Sequence, residues 1–194
     1  MTKNTVKSIL LAGVGGQGIL LASEVLSEAM MLAGFDVKKN EVHGMSQRGG
    51  SVVSHVRWGE KVYSPIIPEG EVDILFSFEL LETRRYLPLL RKDGRILVNN
   101  LKIAPPAVAL GKMKYPADLI AGLKEEFPAT TVVDGLDLAL EVGNAKTVNT
   151  VLLGALSNIL DLEQDIWLAA LGKMIPERLL EINLKAFELG CKIK

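Results

Sequence analysis

Apolar residues come in short unbroken runs, separated by glycines and by polar stretches with helical spacing. This is the pattern of strands buried on both faces alternating with helices. Residues 6–12 read as a first buried strand. Residues 17–33 read as a helix in which Ile19, Ala22, Ser23, Leu26, Ala29, Met30 and Ala33 recur on one side, with Gly34 as its C-cap. Residues 36–42 form a second strand. Residues 51–58 and 61–64 read as two strands joined at a Gly59-Glu60 turn, and Pro65 and Pro68 end that unit. A buried strand at 74–78, a helix at 79–90, a turn at Asp93-Gly94 and a strand at 96–99 follow. An irregular segment opens at Ala104-Pro105-Pro106 and closes at Tyr115-Pro116. After it come a short helix at 118–127 and a last strand at 131–133. From Leu136 onward the pattern is helical, with helices at 147–160, 165–174 and 177–189, the last entered through Pro176.

This alternation predicts a three-layer, Rossmann-like α/β fold. Its sheet is mostly parallel with an inserted antiparallel hairpin, and residues 136–194 form a helical C-terminal layer. The whole of 1–194 reads as a single unit.

Two loops carry the chemistry. Gly13-Val14-Gly15-Gly16-Gln17-Gly18 has G-x-G-x-x-G spacing between the first strand and the first helix. Gly13 permits the tight turn, Gly15 allows a backbone or phosphate to come close, and Gly18 lets the helix pack hard on the strand. The helix start favours an anion, although strand–helix packing alone would also account for the glycines. The second loop, His43-Gly44-Met45-Ser46-Gln47-Arg48-Gly49-Gly50-Ser51, places Arg48 beside two open glycines. There a guanidinium can reach a phosphate or carboxylate with a planar fork that Lys lacks. A solvated surface arginine is the plainer alternative. Asn149 and Thr150, at the start of a helix centred on Gly154, either line the same site or satisfy that helix's first amides.

Composition narrows the choices. The 194 residues are 48% hydrophobic but only 5% aromatic, so the core is large and aliphatic. A net charge of −1 without a basic run argues against nucleic acid. No apolar stretch is long enough for a membrane span and no signal peptide is evident, which points to the cytoplasm. The single cysteine, Cys191, reads as lying in a frayed tail and cannot hold an iron–sulfur cluster. With two histidines, His43 and His55, no metal site is expected.

The G-x-G-G-Q-G turn, the Arg48-Gly49-Gly50 loop and the Gly154 helix together resemble the gamma-type domain of the 2-oxoacid:ferredoxin oxidoreductases. The run from Glu41 to Val52, the run from Tyr63 to Gly70 and the Asn183-Leu184-Lys185-Ala186-Phe187 helix are most similar to the indolepyruvate branch of that family. The resemblance implies a non-redox subunit of a heteromeric enzyme. That enzyme oxidatively decarboxylates an aryl 2-oxoacid with coenzyme A and passes electrons to ferredoxin. Thiamine diphosphate and the iron–sulfur clusters would sit in a large alpha subunit. In this chain Gly13, Gly15, Gly16, Gln17, Gly18, Arg48, Gly49, Gly50, Asn149 and Thr150 would contact coenzyme A, a diphosphate or the partner. Asp93-Gly94 and Asn99-Asn100 are too close together to be the halves of a thiamine diphosphate motif. Two other readings stay open. One is a free-standing NAD(P)-dependent oxidoreductase with Glu41 as its ribose acid. The other is an assembly subunit without a small-molecule site.

Overall fold

The computed structural model describes residues 5–44 and 50–193, with the side chain of His43 outside that set. Strand β1 (Lys7–Val14) is buried from Ser8 onward and lies inside a six-stranded sheet. The other strands are β2 (Asp36–His43), β3 (Ser51–Gly59), β4 (Val72–Ser77), β5 (Leu90–Asn99) and β6 (Thr130–Val133). Their order is β2-β3-β1-β4-β5-β6. The β1–β4, β4–β5 and β5–β6 pairings are parallel, while β2–β3 and β3–β1 are antiparallel.

The period of two in β1 divides the core. Ile9 and Leu11 face a cluster with helix α1 (Ile19–Leu32) and with the C-terminal helices α5 (Gly135–Glu141), α6 (Val148–Ser157), α7 (Gln164–Met174) and α8 (Glu177–Cys191). Leu10 and Ala12 face the opposite cluster, which takes in Leu80 of helix α2 (Leu80–Tyr86) and Leu123 of helix α4 (Leu119–Glu126). A single turn, α3 (Pro106–Ala109), stands in the irregular segment before α4. The layers are therefore helix, sheet and helix, as the alternation of runs predicts.

Three local readings need correction. Residues 61–64 are not a strand. The antiparallel hairpin is β2–β3, in register from Asp36↔Gly59 to His43↔Val52, so its connection is the 44–50 loop instead of Gly59-Glu60. A nearby acid decides the conformation after β3: Asp36 accepts the Val62 amide at 2.9 Å, which draws the chain back to the start of β2. Asp93-Gly94 does not end an element but lies within β5. There the register jumps from Val72↔Leu90 to Ile74↔Arg95, a bulge that absorbs the turn-forming pair. Cys191 is no tail residue either. It closes α8, half-buried, with its Sγ 3.4 Å from Ser157 Oγ.

Helices α6 and α8 cross at glycines. A methyl group on Gly154 would run into the Phe187 carbonyl and lie 2.9 Å from Gly190 Cα, and one on Gly190 would run into the Val151 carbonyl. Backbone against backbone leaves no side chain to give way, so Gly154→Ala should destabilise the protein by about 1–3 kcal/mol or more. Thermal melting should show the drop, and an unchanged melting temperature would mean that the helices do not cross this closely.

His55 sits buried in mid-strand on β3, opposite Leu10 and Asn40, and its Nδ1 accepts the Ile67 amide at 3.3 Å. Burial, and then Arg57, hold its pKa below the usual 6.5. The unfolded chain therefore binds the proton first as the pH falls. This contribution to stability is complete above about 6.5 and is lost between there and the lower folded value. His55→Asn keeps an acceptor for Ile67 but cannot titrate. Its melting temperature should fall less than that of the wild type between about pH 7.5 and about pH 5.5.

Candidate functional site

The crossover from β1 through α1 leads towards β2 and covers one face of the sheet, whereas β4 leads through α2 to β5 on the other face. The carboxyl ends of β1 and β4 thus flank a topological switch point, where open α/β sheets bind ligands. The glycine turn follows β1 at this point, and Phe78-Glu79 follows β4.

The protein's own atoms fill much of the space that the glycines leave. Gln17 folds back across the crevice. Its Oε1 accepts the Val14 amide at 2.6 Å, and its Nε2 donates to the Phe78 carbonyl at 2.9 Å. A methyl group on Gly13 would lie 2.6 Å from that Oε1 and 2.9 Å from Phe78 Cβ. Gly18 has φ +77°, as a left-handed N-cap requires, and backs onto Asn149, whose Nδ2 lies 3.5 Å from the Gly18 carbonyl. The two exposed glycines of the turn, Gly15 and Gly16, differ from these. The Gly15 amide donates to the Gly50 carbonyl at 2.9 Å. Gly16, at φ +100°, has open space where a side chain would be. Among the described residues nothing accepts the amides of Gly16 and Gly18, so they remain as donors beside the α1 N-terminus.

The Gly15–Gly50 bond brings the two loops together. Gly44 donates to the Ser51 carbonyl at 2.9 Å and closes the neck of the second loop. Arg48 and Gly49 lie outside the described residues. Asn149 joins the glycine turn, but Thr150 does not: its hydroxyl donates to Asn183 Oδ1 on α8 at 2.7 Å. Neither side chain satisfies the first amides of its own helix.

Two acids at this end of the sheet were not among the residues singled out from the sequence. Glu79 is buried at the N-cap of α2. Its Oε2 accepts the Glu82 amide at 2.8 Å, and its Oε1 accepts both the Ile103 amide at 3.0 Å and the Tyr115 hydroxyl at 2.6 Å. Burial, followed by the bond to Glu79, drives the Tyr115 pKa well above the usual phenol range. Glu82, also buried, accepts from Ser51 Oγ at 2.5 Å and pairs with Arg85 at 3.3 Å, and the Ser51 hydroxyl lies 2.9 Å from that of Tyr86. The exit of the second loop is thereby fixed to α2. An acidic residue directly after an apolar strand and before helical spacing is an N-cap signal that could have marked Glu79.

Glu41 stands away from the glycine turn. β3 separates its strand from β1, and its carboxylate meets Lys39 at 2.7 Å and Ser23 at 3.4 Å. An acid that bridges a ribose belongs on the strand next to β1.

Comparison with known proteins gives a consistent result. The family model described as pyruvate ferredoxin/flavodoxin oxidoreductase matches residues 8–193. Indolepyruvate oxidoreductase subunit IorB of Thermococcus kodakarensis is 40% identical over 190 residues, 95% of this chain and 94% of that protein. The gamma subunit of a keto/oxoacid ferredoxin oxidoreductase from Geobacter sulfurreducens shares the fold with a TM-score of 0.71, at 24% identity over 95% of both chains. The 2-oxoglutarate:ferredoxin oxidoreductase of Magnetococcus marinus, solved with 2-oxoglutarate, coenzyme A and succinyl-CoA bound, matches with a TM-score of 0.74 at 21% identity. That match takes in 98% of this chain but only 31% of the other.

Gln17→Glu tests the closure of the crevice. Glutamate can still accept the Val14 amide, but it sets a carboxylate oxygen against the Phe78 carbonyl. A loss of about 1–3 kcal/mol in denaturant unfolding is expected. Wild-type stability would mean that Gln17 points elsewhere in solution.

Proposed function

The chain belongs to the pyruvate ferredoxin/flavodoxin oxidoreductase family as a subunit of a 2-oxoacid:ferredoxin oxidoreductase, and from this we propose that it helps to close the coenzyme A side of an active site shared with a larger alpha subunit. In this reading 1–194 acts as one gamma-type unit in the cytoplasm. The alpha subunit carries thiamine diphosphate and the iron–sulfur clusters, and ferredoxin takes electrons from the complex. The substrate is an aryl 2-oxoacid such as indolepyruvate, the compound in the name of a relative 40% identical to this chain. Cys191, the one cysteine of the chain, supplies too few thiolates to ligate a cluster.

The hydrogen bond between Gly15 and Gly50 carries the reading, because it ties the glycine turn to the loop that contains Arg48. The Gly16 and Gly18 amides are available to a diphosphate, and Arg48 would add a charge-assisted fork on a phosphate or carboxylate. Gly49 would give that fork room, and Asn149 would hold Gly18 in its left-handed turn. Thiamine diphosphate supplies the carbanion chemistry when bound, and the role of this chain is to position and enclose.

A free-standing NAD(P)-dependent oxidoreductase fits less well. Gln17 occupies the space beside Gly13, and β3 stands between Glu41 and the turn. An assembly subunit without a small-molecule site differs from the proposal in what Arg48 does.

In the reconstituted complex, Arg48→Ala should lower kcat/KM for coenzyme A roughly ten- to a hundredfold, with Arg48→Lys recovering only part. The melting temperature of the free chain should not move. Full activity of Arg48→Ala would favour the assembly role.

A further inference from the structure

Segment 103–115 leaves the carboxyl end of β5, the sheet end that also carries the glycine turn, and two of its large apolar residues stay in water. Leu110 is 70% exposed and Met113 is 65% exposed. The stretch from Lys102 to Ala117 holds three lysines, Lys102, Lys112 and Lys114, and no acid. All three are exposed, and none forms an ion pair among the described residues.

A protruding apolar tip is costly unless something covers it, and a loose loop would fold it inward. This one is held out. Glu79 receives Ile103 at one end of the segment and Tyr115 at the other through the same Oε1. Between them α3 ends in a compact turn, in which the Lys112 and Met113 amides donate to the Ala107 carbonyl at 2.9 and 3.1 Å. The ordering cost of a projecting loop is thus met before any partner arrives, the usual preparation of a binding element.

We propose that segment 103–115 is the docking element for the companion alpha subunit, received by a patch with an apolar centre and an acidic rim. This rests on the subunit reading above. The sign of the charge selects the rim and the Leu110–Met113 tip selects the centre. The fold makes up about a third of one longer chain in the Magnetococcus enzyme. A separate chain with the same fold needs a surface that does what covalent linkage does there. Tyr115 and Glu79 are positioning residues for the element.

The test is co-expression with the alpha subunit, followed by affinity measurement on the purified subunits. Leu110→Ser combined with Met113→Ser should weaken assembly roughly thirtyfold. Lys112→Glu combined with Lys114→Glu should slow association, with the difference shrinking in high salt. Both double variants should melt like the wild type, since these side chains are exposed. Tyr115→Phe should give a smaller loss of affinity without changing its salt dependence. Wild-type affinity in both double variants would overturn the docking assignment while leaving the subunit reading intact. No binding of the alpha subunit by the wild-type chain would overturn both. Self-association of the free chain that the Leu110/Met113 variant abolishes would assign the surface to a second copy, against the proposal.

Discussion

The Phe78 carbonyl is the point on which the carboxyl end of the sheet depends. It accepts from Gln17 Nε2 at 2.9 Å and from Asn99 Nδ2 at 3.3 Å, while its own amide donates to Ala12 at 2.8 Å. Asn99 in turn accepts the Gly135 amide at 3.1 Å. One backbone oxygen with two lone pairs thus links the glycine turn, the end of β4, the end of β5 and the start of α5. Parallel strands end in unpaired backbone groups wherever they enter loops, and burial makes each such group expensive. Two amide side chains, Asn99 buried and Gln17 half-buried, satisfy these groups and hold the loops in register with one another.

This arrangement changes the meaning of the glycine motif. In a dinucleotide site the glycines clear a path for a pyrophosphate. Here Gly13 makes room for Gln17, and Gly18 makes room for Asn149. Only the outer part of the turn, at Gly15 and Gly16, faces outward, and Gly15 is already bonded to the neighbouring loop. The motif serves first to bring two loops to one place, and any ligand contact is left to the edge of the turn.

The layers, the strand–helix alternation and the C-terminal helices were legible because buried strands and amphipathic helices print their periods directly on the sequence. The hairpin was misplaced because Gly59-Glu60 looks like a tight turn, whereas its strands are joined across a longer loop and the chain after β3 is held at a distance by Asp36. The bulge at Asp93-Gly94 was hidden for the same reason: local turn chemistry yielded to neighbouring strands. The glycine turn and the Gly50 loop could be named separately, but only a backbone hydrogen bond unites them, and backbone groups carry no sequence signal. Glu79 was overlooked because its partners, Ile103 and Tyr115, lie well away from it in sequence. Thr150 turned towards α8 because Asn183, 33 residues on in sequence but adjacent in space, offers its hydroxyl a buried acceptor.

The position of α1 bears on how the protein is made. One side of it packs on β1, β2 and β3, the other against α6 and α7, and α6 packs against α8, so the outer cover of the first helix comes from the last stretch of chain. At about 5–20 residues per second, a ribosome needs on the order of 10–40 s to deliver that cover. Until then only the sheet can cover α1, and its side that faces α6 and α7 is bare outside the exit tunnel. A nascent chain built in this order carries that apolar side uncovered for longer than a protein that closes its core from the N-terminus.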